Sequence, residues 1–250
     1  DNMMIYKSPS AELPADFSGG FVRVMTKNIP DGNTFNVSCQ MGFNTNATFR
    51  NFQLTDGTAK DYLGFGAGVR NLPSSFPAHL GEHSTDEAAA FTRQINQRWG
   101  INKFTAIPDQ KISLTSHRSY DVGGWKIGNI TNLNWSTEYD YSETVNNNYI
   151  AYDVKNDVSR PRFEYNDIRY KNTSKLGALF NWSFQRDGSK YELRNFFSQR
   201  GVSALTQREG MNYYSDKNIR KWESLYTGRT TYSGQISGVH TLRENVNKVD

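Results

Sequence analysis

Cysteine is nearly missing from this chain: Cys39 stands alone in 250 residues, so no internal disulfide framework exists and the redox compartment stays open. Nor is there a run of about eighteen apolar residues, which excludes a membrane-spanning helix. A membrane-spanning barrel is not excluded, because barrel strands alternate and never build a long apolar run. Blocks of one charge are lacking as well. The formal charge is +4 and the isoelectric point near 9.0, but Lys and Arg are scattered, so charge gives only a weak pointer to an anionic partner. A secretory signal sequence is absent too, although the chain starts at Asp1 in what reads as mid-domain, so processing or truncation explains this as well as any location does.

What the chain does hold is aromatic and polar. Aromatic residues make up 14% and hydrophobic residues only 36%, with Asn, Ser and Thr abundant, a composition suited to strands more than helices. In NTFNVSCQMGFNT, Phe35, Val37, Cys39, Met41 and Phe43 alternate with Asn36, Ser38, Gln40 and Asn44, the period of a strand with one apolar face. WKIGNITNLNWSTEYDYS puts Trp125, Ile127, Leu133, Trp135, Tyr139 and Tyr141 on one face, with Lys126, Asn132, Asn134, Glu138 and Asp140 on the other. Ile130 is the exception on the polar side. From Ile168 to Phe184, Tyr170, Leu176, Ala178, Phe180, Trp182 and Phe184 oppose Arg169, Lys171, Lys175, Asn181 and Ser183. Weaker versions at 111–120, 191–199 and 222–242 bring the count to about six strands.

Strand and loop lengths separate a soluble sandwich from a membrane wall. Soluble strands run to about five or six residues, whereas roughly 9 to 11 are needed to cross a bilayer with tilt, and several of these runs are longer still. Trp125 at one end and Tyr139 and Tyr141 at the other occupy the places of aromatic girdles at two lipid interfaces. DVGG and RDGS read as tight hairpin turns. The spans 44–110, 143–167 and 200–221 read as long loops, so short and long links alternate as in outer-membrane barrels. Within the first loop, STDEAAAFTRQINQRWG predicts a helix with a Ser84/Glu87 capping box, Phe91, Ile95 and Trp99 on one face, and Gly100 as its stop.

Chemical motifs are few. HLGEH, His79 to His83, has the two-histidine spacing of an inverted zincin, but Pro77, the internal Gly81 and flanks without helical period place it in a loop. Matches to N-x-[ST], such as Asn36 and Asn172, fall mostly within strands, and GFGAG at 64–68 lacks the strand and helix context of a phosphate loop. No local Ser/His/Asp or Cys/His set supports nucleophilic catalysis, and no cofactor or metal motif is read, so the expectation is not an enzyme.

The stretch LPADFSGGFVRVMTKNIPD brings together Leu13, Pro14, Asp16, Phe17, Gly19 and Gly20, a short strand from Phe21 to Lys27, and the closing Pro30 and Asp31. It resembles the junction in TonB-dependent outer-membrane receptors, where the last strand of the plug domain passes through a hinge into the first barrel strand. FNVSCQMGFNTNATF, DYLGFGAGVRNLP, INQRWG, IPDQKISLTSHR, GALFNWSF and GRTTYSGQISGVHTL, in that order, look like the first barrel strands and first long loop of one branch of that family. They depart from the glycan-importing SusC-like branch, whose plug ends in a different glycine-rich form.

The resemblance implies an all-β fold: an antiparallel up-and-down transmembrane β-barrel segment, about six strands of a 22-stranded barrel, with one short helix. Residues 1–31 would be the end of the plug and the hinge, and 32–250 the N-terminal part of the barrel. Lys126, Glu138, Arg169, Lys171, Lys175, Glu192 and Arg194 would face the lumen and hold the plug, while Phe35, Val37, Leu133, Trp135, Phe180 and Trp182 would face lipid. Implied partners are outer-membrane lipid and lipopolysaccharide, the remainder of the same barrel, TonB through an N-terminal region that precedes this one, and in some branches a surface lipoprotein; nucleic acid is not among them. The implied location is the outer membrane, crossed several times, and the implied function is uptake of a siderophore, peptide or glycan. Three alternatives remain open at this point: a barrel-bearing assembly subunit without transport, a soluble β-sandwich binding module, and a zinc hydrolase using His79 and His83.

Overall fold

The structure is a computed structural model that describes residues 2–7, 20–25, 29–95 and 99–241. Leu13, Pro14, Asp16, Phe17 and Gly19 lie outside the described residues. Six strands make one antiparallel sheet in the order β10-β9-β8-β7-β6-β3: β3 is Thr34–Gly42, β6 Asp109–Val122, β7 Trp125–Asp153, β8 Val158–Arg186, β9 Ser189–Asn212 and β10 Lys217–His240. The sheet is open, with β3 and β10 at its edges. Two separate strand pairs accompany it, β1 (Asn2–Tyr6) with β2 (Phe21–Met25) and β4 (Asn51–Thr55) with β5 (Ile101–Thr105). A sandwich needs a second sheet stacked across the first; among the described residues only the β4–β5 pair lies against it.

Turn chemistry sets the order of the sheet. Gly123 and Gly124 have φ of 58° and 81°, and Asp187 and Gly188 have 45° and 78°, the positive values that two-residue hairpin turns require to match strand twist. These are the two tight turns expected from the sequence.

The other expected loops are corrected. Residues 143–167 and 200–221 are mostly strand: β7 and β8 each run for 29 residues and β9 and β10 for 24. Short turns close them at 154–157 and 213–216, with Asp157 and Asp216 at φ of 54° and 51°. A β-bulge between Asn148 and Ala151 accommodates Pro161 on the facing strand, a place where a residue without an N–H is tolerated. At about 3.4 Å per residue these strands reach well beyond the roughly 30 Å of a hydrocarbon core.

The segment between β3 and β6 does form the one long loop. It carries β4 and β5, the 3-10 turns Ala59–Leu63, Gly66–Val69 and Leu80–Glu82, and helix α1 (Thr85–Arg93). The expected capping box is present in both directions: Ser84 Oγ accepts the Glu87 N–H, and the Glu87 carboxylate accepts the Ser84 N–H. These bonds hold the Glu87 carboxyl below its usual value, the Ser84 side chain contributing most. The helix is shorter than expected, ending at Arg93 with Gln94 as its cap, and Trp99 beyond it is 70% exposed.

Candidate functional site

The two faces of the sheet differ along part of its length. Cross-strand register puts Val37, Leu114, Leu133, Ala178, Phe197 and Tyr232 in one transverse row. Phe35, Phe180, Trp182, Leu193 and Ile236 lie in adjacent rows of the same face. Several of these side chains are open: Val37 is 63% exposed, Leu133 47%, Phe180 46% and Ile236 84%. All six residues expected on the apolar side therefore share one face. On β7 the band runs from Trp125 to Trp135, eleven residues counted inclusively, against the roughly 9 to 11 that cross a bilayer with tilt. Polar residues interrupt the band: Arg118 of β6 stands opposite Asn129, and Asn129 donates to the Asn181 carbonyl at 3.1 Å and accepts from the Thr131 hydroxyl at 3.0 Å.

Beyond Trp135 this same face is covered. Phe52 of β4, 1% exposed, packs edge-on against Tyr139 at 5.4 Å and Tyr170 at 5.2 Å, within a small core completed by Ala47 and Ala106. Tyr139 and Tyr141 are thus not an outer girdle, as the sequence suggested; Tyr139 is 4% exposed beneath the loop and Tyr141 packs against that core. Trp135 also differs from the other five apolar residues. Its indole N–H donates to the Tyr62 carbonyl at 2.6 Å, so the loop starts where the band stops. Next to it, Gln199 donates to the Gly64 carbonyl and the Gly66 N–H donates to the Tyr226 hydroxyl at 2.8 Å. Arg70 locks the turn by pairing with Asp61 at 2.7 Å and lying 4.3 Å over the Tyr226 ring. The approach is so close that a Cβ on Gly201 would stand 2.6 Å from the Gly64 Cα.

The opposite face is polar. Lys126, Glu138, Arg169, Lys171, Lys175, Glu192 and Arg194 all occupy it by register, and several meet. Lys175 pairs with Glu138 at 2.9 Å and Lys171 with Asp140 at 2.7 Å. Glu192, 9% exposed, takes Lys190 at 2.7 Å and Arg194 at 2.6 Å. The structure does not join Lys126 or Arg169 to these pairs. Most of the pairs are open to water and contribute about 0 to 1 kcal/mol each. The best-formed pair on this face was not evident from sequence: Arg208 grips Asp167 with two bonds of 2.6 and 2.5 Å, the fork geometry that favours Arg for carboxylates. Only the register that aligns β8 with β9 identifies it.

The end of the resembled junction sits on this polar face. Pro30 is buried, and with Asp31 and Gly32 it borders a cavity of about 570 Å³ whose other wall includes Ile130, Leu179 and Phe196. Ile130, the break in polar alternation, thereby gains an apolar setting. The Asn33 side chain fixes the segment by accepting the Ser119 N–H at 2.7 Å. Gly20 is exposed, and Asp31 likewise.

HLGEH forms a 3-10 turn over Leu80–Glu82 and not an α-helix. His83 lies 3.8 Å from Glu87, and among the described residues no group of three or more His, Cys, Asp or Glu could hold a metal ion. Comparison of the chain with protein-family models, curated proteins and solved structures finds no match.

Proposed function

We propose that this chain is part of the barrel wall of a TonB-dependent outer-membrane receptor, from the end of the plug through the first six wall strands, and that the whole receptor takes up a siderophore, peptide or glycan. One observation carries the reading: a single open sheet has a mostly apolar, exposed band of bilayer height on one face, broken at Arg118, Asn129 and Thr131, and an ion-paired polar surface on the other. In water such a band is a liability, since exposed apolar patches beyond a few hundred Å² mark interfaces. In a bilayer it is the stable arrangement, provided that further strands cover the two open edges.

On this reading the band meets lipid, with Trp125 and Trp135 near the two interfaces and lipopolysaccharide above. The polar face lines the lumen, where Lys126, Glu138, Arg169, Lys171, Lys175, Glu192 and Arg194 meet the plug. The strand extensions beyond Trp135 stand outside the membrane, strapped by the loop between β3 and β6. Capture by outward loops would precede a pull by TonB on the plug, fuelled by the inner-membrane proton gradient, that opens a path along the polar face.

The test is fractionation of cells expressing the full protein, followed by uptake assays with and without TonB. The expected result is a detergent-soluble outer-membrane protein whose deletion removes TonB-dependent uptake of one solute. Recovery of the protein in the soluble fraction sinks the reading. Membrane recovery with no TonB-dependent uptake favours the assembly-subunit alternative.

A further inference from the structure

The register of the large sheet aligns four basic residues in one transverse row of the polar face. Lys111 on β6 stands opposite Ser136 on β7, Ser136 opposite Lys175 on β8, Lys175 opposite Arg200 on β9, and Arg200 opposite Arg229 on β10. Adjacent strands are about 4.8 Å apart, so Lys175, Arg200 and Arg229 are anchored within about 10 Å of one another. Like charges directly opposite destabilise a sheet unless carboxylates intervene.

Glu138 does this for Lys175, but no carboxylate stands between Arg200 and Arg229. The same-face neighbours along β9 are Ser198 and Val202, and along β10 they are Thr227 and Thr231. A cavity of about 290 Å³ opens beside Lys175 and Arg200, with Asp109, Glu138 and Asp140 also on its wall. Each of those carboxylates has a partner: Glu138 holds Lys175, Asp140 holds Lys171, and Asp109 accepts the Tyr139 N–H at 2.8 Å. Among the described residues Arg200 and Arg229 form no ion pair, and both are exposed. Two adjacent guanidinium forks flanked by hydroxyls are a fitting receptor for a planar or tetrahedral oxyanion, which can take paired N–H bonds from each.

We infer that Arg200 and Arg229 bind the carboxylate, phosphate or sulfate group of a solute moving along the polar face. This rests on the transport reading for the origin of the solute, but the anion site itself does not. Rings of Lys and Arg select anions in pores by the same electrostatics.

The experiment uses the full protein in detergent micelles, titrated with inorganic phosphate and with citrate by calorimetry. It compares the wild type with Arg200→Gln, Arg229→Gln, the double variant, and Lys155→Gln in the β7–β8 turn as a charge control. The expected result is binding that weakens about tenfold or more in the double variant, the loss of at least one charge-assisted hydrogen bond. Arg200→Lys should keep part of it and Lys155→Gln all of it. Because the double variant removes opposed like charges, its thermal midpoint without anion should equal or exceed that of the wild type, which separates lost binding from lost folding. No binding by the wild type, or binding indifferent to both arginines, overturns the inference. An acidic segment of the same protein seated on the arginines appears as the first of these results. Arginine-dependent binding by a protein that never enters the membrane leaves the anion site standing and removes the transport reading.

Discussion

Replacing Phe52 with Ala tests how the long loop is held to the sheet. Phe52 is 1% exposed, and its ring contacts those of Phe104 at 5.6 Å, Tyr139 at 5.4 Å and Tyr170 at 5.2 Å. Truncating a buried Phe costs about 3 to 5 kcal/mol, part of it lost edge-to-face attraction. What remains between loop and sheet is the ring contacts of Phe104 with Tyr139 and of Phe65 with Phe197, Arg70 over the Tyr226 ring, and polar contacts such as Gln207 to Gln53 at 2.8 Å and Thr55 to Ser224 at 2.7 Å, the hydrogen bonds contributing about 0.5 to 1.5 kcal/mol each. The large sheet keeps its backbone ladder, which does not run through Phe52. Amide hydrogen exchange on the full protein should therefore show protection in β4 and β5 falling by about a hundredfold, the equivalent of roughly 3 kcal/mol, while β8 and β9 stay protected. Equal loss across β7 to β9, or no loss in β4 and β5, would refute the idea of a loop docked separately onto a self-sufficient sheet.

Other expectations follow from single side chains. Leu133→Arg, if Leu133 lies near the bilayer midplane, should lower stability in lipid vesicles by about 2 to 4 kcal/mol in a urea titration, and Asn132→Arg on the opposite face should cost much less. Ile130→Asp puts a charge into the cavity beneath Pro30, so limited proteolysis should cut residues 29–33 faster than in the wild type. The Glu87 carboxyl titrates lower in the folded chain because it accepts bonds from Ser84. Its capping contribution is thus complete above the usual carboxylate value of about 4.3 and fades as pH falls through the lowered one. The protection of the α1 amides, measured relative to their intrinsic exchange rates at each pH, should fall over that acid range, and Ser84→Ala should abolish the dependence.

The sequence made the large sheet legible where an apolar band marks every second residue, as from Trp125 to Trp135, and in the turns whose Gly-Gly and Asp-Gly pairs require positive φ. It failed where both faces are polar. In ETVNNNYIAYD the alternation lapses, yet β7 continues through Asp153, because there the hydrogen-bond ladder and the hairpin register sustain the strand without help from a face-specific environment. Tyr139 was misread for the related reason that an aromatic ring on the apolar face can meet either lipid or a docked loop. Alternation fixes the face and not what covers it. For the same reason alternation separates the seven polar-side from the six apolar-side residues, which the register sets on opposite faces. The Arg200 and Arg229 pairing, in contrast, depends on how β9 aligns with β10, which no local pattern encodes.

Spin labels at two neighbouring positions test the membrane claim most directly. Phe180 lies on the apolar face and Asn181 on the polar face. With Cys39→Ser as background, Phe180→Cys and Asn181→Cys are labelled in the full protein in lipid vesicles, and collision with oxygen is compared with collision by a water-soluble nickel chelate. The account predicts a label at 180 that oxygen reaches and nickel does not, with a lower ratio of oxygen to nickel accessibility at 181. Strong nickel accessibility at 180 would contradict it.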